Sequence, residues 1–176
     1  MGATDTVATP NDGQDSVHPA AMHGLLQARE LLLAIAGQLE HGSPLIGWAR
    51  ELADLHSTSI TAIISPVRRP ADFDADATHI RIRAVISLID DWSIFHLPHP
   101  ATARRHTHSL GEVISHVAET YAQVQWTLRH SNSAEHRHDA AVRFAQVQRG
   151  YADLIGEIKA MRVEFAASWR VPQPIP

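Results

Sequence analysis

Three histidines and two glutamates crowd the stretch ARRHTHSLGEVISHVAET, residues 103–120, and His108, Glu112, His116 and Glu119 recur in it at helical spacing. Imidazole and carboxylate side chains so arranged are the ingredients of a metal site or an acid/base centre. The flanking residues argue for a plainer role. Ser109 followed by Glu112 is a capping box, in which the serine oxygen accepts from the Glu112 backbone N–H and the glutamate reaches back to the Ser109 N–H. On a helix turning about 100° per residue, Glu112, His116, Glu119 and Gln123 share one face, roughly opposite the apolar stripe of Leu110, Ile114, Val117 and Tyr121. Metal sites in helical bundles project inward from facing helices, whereas this row projects outward. We read it as a solvated face.

The rest of the chain offers no established chemical motif. HExxH, a paired ExxH, a Gly-rich phosphate loop, GxSxG and zinc spacing are all absent from the sequence. His106 and His108 precede the cap in a loop, at a helix N-terminus whose N–H groups favour anions. "HRH" at 136–138 is similarly placed. "RRP" at 68–70 and "ARR" at 103–105 are small basic patches, and Asp72, Asp74 and Asp76 lie close to the first.

The elements that must position these residues are helices. Leu25, Ala28, Leu32, Ile35 and Leu39 predict a first helix over about 20–40. A second, over about 44–64, has Ser43 as N-cap, Pro44 at its first position and a buried side of Leu45, Trp48, Leu52, Leu55, Ser59 and Ile63. A third covers about 75–97, with Ile82, Val85, Ile86, Ile89, Trp92 and His96 inward, and stops at Pro98 and Pro100. The stripe Leu110, Ile114, Val117, Tyr121, Val124, Leu128 gives a fourth over about 109–130. Phe144, Val147, Tyr151, Leu154, Ile158, Met161 and Phe165 give a fifth over about 134–168. Gly150 and Gly156 weaken that helix by roughly 1 kcal/mol each, which suggests close helix contact there. The short link between the last two helices favours an antiparallel pair. The expected fold is therefore all-α: a single-domain bundle of about five helices over 19–168, with a C-terminal antiparallel helical hairpin, little or no strand, a disordered tail at 1–18 and an irregular one at 169–176.

Composition narrows the function. With 176 residues the chain suits one domain, and with no cysteine it excludes disulfides, thiol nucleophiles and Cys-ligated metals. A formal charge of -4 gives no general attraction to nucleic acid or acidic membranes. Nine of the thirteen histidines fall between His79 and His138. No run approaches the ~20 apolar residues of a membrane span, and the first residues lack the basic start of a secretory signal, so the expected location is the cytoplasm.

Four strings, "LADLH" (52–56), "RAVISLIDDW" (83–92), "HTHSLGEVI" (106–114) and "GYADLIGEIKAMR" (150–162), together resemble an uncharacterised helical family of high-GC bacteria, domain-of-unknown-function family 4254. The similarity covers roughly 44–165, and His108 stands where the family commonly has an acidic residue. The resemblance implies a compact helical domain and brings no activity, substrate or cofactor. It points to polar positions within the strings: His56, Arg83, Asp90, His106, Thr107, Tyr151 and Arg162. His56 and Asp90 also border the apolar stripes of the second and third helices. We expect His56, Asp90 and His106 to converge, the carboxylate between the imidazoles, with Arg83 and Thr107 nearby. Such a cluster is structural, or alternatively it is a divalent-metal or small-ligand site, possible in an enzyme. The first reading is non-enzymatic: a module for self-association or for a protein partner, with no cofactor, metal, nucleic acid or membrane.

Overall fold

Short polar residues start the helices. In the computed structural model, which describes Met22 and residues 24–165, Ser43, Asp74, Ser109 and Ser133 each accept a backbone N–H of the first turn that follows. The helices are α1 (Ala28–Ile35), α2 (Pro44–Ile64), α3 (Ala75–His96), α4 (Leu110–His130) and α5 (Ala134–Lys159), with a 3-10 turn at Pro66–Arg68. Among the described residues the chain is mostly helical, as the spacing predicts. The expected tails at 1–18 and 169–176, and the last three residues of the expected fifth helix, lie outside the described residues.

Two helices are shorter than their stripes suggest. The first begins at Ala28 and stops at Ile35, because Gly24 and Gly37 take positive φ on either side of it. The fifth ends at Lys159, and Met161 turns the chain through the left-handed region at φ 60°. Val163–Phe165 then forms β2, which pairs in parallel with β1 (Arg104–His106), His106 opposite Phe165. This small sheet corrects the expectation of a continuous helix. Val163 and Phe165 are buried around a half-buried Glu164, a period of two that the 3/4 spacing from Ile158 obscured.

The core gathers around α4, which packs against α2, α3 and α5, while α2 also touches α1 and α3. Leu31, Leu45, Leu52, Val85, Ile89, Leu110, Ile114, Val117 and Ile158 fill its centre. Helix α4 is covered on three sides, so Gly111, Ser115, Ala118 and Thr120 are buried beside the expected stripe. Three stripes run out at their ends: Ile63 and Leu128 are exposed, and His96 stacks on Trp92 at the surface, because no helix among the described residues covers them. Gly150 and Gly156 face open space, so close contact is not their purpose.

Candidate functional site

Asp90 is the one buried carboxylate of the described core, 5% exposed on α3. Its Oδ1 accepts the Gly111 N–H at 2.7 Å, in the first turn of α4. The predicted capping box stands beside it: the Glu112 N–H donates to Ser109 Oγ at 3.2 Å, and the Ser109 N–H donates to Glu112 Oε2 at 2.8 Å. Three N–H groups that a helix start leaves unpaired are thus satisfied, one of them from another helix. Burial raises the Asp90 pKa, while the Gly111 N–H and the Ser109 hydroxyl pull it back and Glu112 and Asp91 add to the rise. Gly111 is required by space: a Cβ there would stand 2.4 Å from the Ile86 carbonyl oxygen and 2.8 Å from Asp90 Oδ1. Asp90 and Gly111 therefore interlock α3 and α4, joining the "IDDW" and "SLG" strings.

The other candidates lie in separate places. His56 on α2 is half-buried, and its Nε2 sits 2.9 Å from the Ser115 hydroxyl of α4. Burial holds its pKa below 6.5, with Glu119 raising it and His116 lowering it further. His106 in β1 lies edge-on to Phe165, ring centroids 5.6 Å apart, and its Nδ1 lies 2.8 Å from the His108 carbonyl oxygen and 3.2 Å from the His108 amide nitrogen. The Thr107 hydroxyl is 3.0 Å from His108 Nδ1, and Arg83 is exposed on α3. The expected convergence of His56, Asp90 and His106 is not found. His56 and Asp90 each find a separate partner on α4, and His106 finds one in its own loop, which leaves no shared centre. No group of three or more His, Asp or Glu among the described residues could hold a metal. Nor is there an Asp90 charge beside His56 to raise its pKa; desolvation acts in the opposite direction.

Two other resemblance positions also act locally. The Tyr151 hydroxyl donates to the Leu26 carbonyl at 2.8 Å, fastening α5 to the segment before α1, and burial raises its pKa. The Arg162 carbonyl accepts from the Arg104 N–H at the start of the small sheet. The outward row of α4 stays outward: Glu112, His116 and Gln123 are exposed and Glu119 half-buried. Sequence reasoning missed the cavities. At one end α2, α4 and α5 leave an open groove of about 640 Å³, with Ile60, Ile63, Val124 and Trp126 along it and Asp139 and Arg143 at its rim. Among the described residues no helix is long and apolar enough to cross a membrane. No family model, curated protein or solved structure matched the chain in the comparisons made.

Proposed function

We propose that the protein is a non-enzymatic self-association module and that α3 is its contact surface. The observation carrying this reading is a second apolar face on α3. Val85, Ile89 and Trp92 point into the bundle, yet Ile80 is 67% and Phe95 81% exposed, with Leu88 and Ile94 also at the surface. At about 100° per residue these four fall within an arc of roughly 120° on the side away from the core. The exposed Ala84 and Ser87 lie between them, small enough for another helix to approach.

The spacing is self-complementary. About a point between Ser87 and Leu88, Ile80 is related to Phe95 and Ala84 to Asp91. Two copies of α3 packed antiparallel across a two-fold axis would set Ile80 of each against Phe95 of the other, as an isologous interface requires. Arg83, exposed on this helix, would approach Asp91 of the second copy. The remaining helices serve as a rigid support. We read α4 and α5 as an antiparallel hairpin, since Val113 and Val117 share a cleft with Leu154 and Tyr151, and Thr127 and His130 share a groove with Ala140 and His136. Membership of domain-of-unknown-function family 4254 and a cytoplasmic location belong to the same proposal. The interlock of "IDDW" with "SLG" supports the family reading, because it gives the two strings one structural purpose.

Sedimentation velocity over a concentration series tests it. The wild type should form dimers, and Phe95→Glu and Ile80→Glu should stay monomeric with melting curves close to wild type. A wild type that remains monomeric throughout, or variants that dimerise equally, would overturn the reading.

A further inference from the structure

We infer that the small pocket between the ends of α2 and α4 binds the phosphate group of a small organic phosphate ester. The site is independent of the α3 surface. Its volume is about 300 Å³, and Arg68, Arg129 and His130 line it together with Ser57, Thr61 and Trp126. No carboxylate among the described residues lines it. The ion pairs among the described residues are Arg81 with Glu51, His99 with Glu164 and Arg104 with Glu157, so neither Arg68 nor Arg129 has an acidic partner there. Two guanidinium groups without counter-charges open on one cavity in a chain of net charge -4. Planar guanidinium forks suit the oxygens of a phosphate.

His130 fixes one of the two. Its Nδ1 lies 2.9 Å from the Trp126 carbonyl, which can only accept, so Nδ1 carries the proton. Its Nε2 lies 2.6 Å from Arg68 Nη1, which can only donate, so Nε2 offers its lone pair. The ring stacks on Trp126 with centroids 3.9 Å apart. The imidazole is thus held from two sides and orients Arg68, with the other N–H groups of Arg68 left for a ligand. Ile60, Trp126 and His130 line this pocket and also the larger groove of about 640 Å³ beside it. A ligand with its phosphate on Arg68 and Arg129 would lay its organic part over Ile60 and Trp126. That continuity favours an ester with an apolar or aromatic body over inorganic phosphate.

Calorimetric titration of phenyl phosphate, inorganic phosphate and phenol into the full chain tests this. Phenyl phosphate should bind saturably, inorganic phosphate more weakly and phenol not at all. Arg68→Gln and Arg129→Gln, both at exposed positions, should each weaken phenyl phosphate by at least about tenfold, the scale of a lost charge-assisted hydrogen bond. Thermal melts would verify that both variants fold. Absent binding by the wild type, or binding that neither variant changes, would overturn the site. Equal affinity for phenyl and inorganic phosphate would overturn the assignment of an organic body. Dimerisation measured on the same samples reports on α3 separately.

Discussion

Replacing Gly111 by alanine should destabilise the protein, although alanine is the better helix former. A methyl group there would meet the Ile86 carbonyl oxygen at 2.4 Å and its carbon at 3.0 Å. Both are backbone atoms of α3, so no side-chain rotation relieves the contact and the two helices must separate. Overpacking of this kind costs about 1–3 kcal/mol. Separation also stretches the Gly111 N–H bond to Asp90 Oδ1, and a buried partner left unpaired costs about 1–3 kcal/mol more. The gain in helix propensity returns up to about 1 kcal/mol. The net loss should be about 1–5 kcal/mol, a large share of a typical ~5–15 kcal/mol stability. Gly150→Ala and Gly156→Ala provide the contrast. An added methyl meets nothing within 4 Å at either site, so each should stabilise by about 0.5–1 kcal/mol. Urea unfolding followed by circular dichroism would read all three. A Gly111→Ala midpoint at or above wild type would refute the interlock.

Further outcomes follow from the same contacts. Burial keeps the folded His56 pKa below the ordinary 6.5. Between that folded value and 6.5 the unfolded chain binds more protons, so stability should fall as pH drops through this window, with no further change from His56 below it. Urea midpoints across the window should show a shallower slope for His56→Gln, and an equal slope would count against His56 as the cause. Asp90→Ala should cost about 1–3 kcal/mol by leaving the Gly111 N–H unpaired, and Asp90→Asn less, because it keeps an acceptor oxygen. NMR titrations of His56 and His106 should be unchanged in either Asp90 variant; a shift in both would restore the His–Asp–His cluster.

Much of the fold was legible because caps and apolar stripes are local signals. Ser43 with Pro44, and Ser109 with Glu112, mark the starts of α2 and α4. The end of α5 was not legible in the same way. Met161 and Phe165 continue its spacing, and only the tertiary pairing of Val163–Phe165 with Arg104–His106 shows that the chain has left the helix. The candidate site was half legible. Flanking the stripes correctly placed Asp90 inside and His56 half inside, but spacing along one helix carries no information about which turn of another helix it meets. Asp90 met Gly111 and His56 met Ser115. The glycine in "SLG" was the available signal, since a glycine in a first helical turn can mark a close backbone approach. The pocket of Arg68 and His130 joins residues 62 positions apart, beyond any local pattern. The outer face of α3 carries Ile80, Leu88, Ile94 and Phe95, but spacing along one helix does not tell which of its two apolar faces meets the core.

Covalent trapping tests the α3 dimer most directly, because a chain without cysteine accepts a single engineered thiol cleanly. Ser87 lies beside the expected two-fold axis, whereas Ser57 is exposed on α2. Under mild oxidation Ser87→Cys should give a disulfide-linked dimer in high yield and Ser57→Cys, which keeps the same α3 face, should give no cross-linked dimer. No dimer from Ser87→Cys, or the same yield from both variants, would contradict self-association through α3.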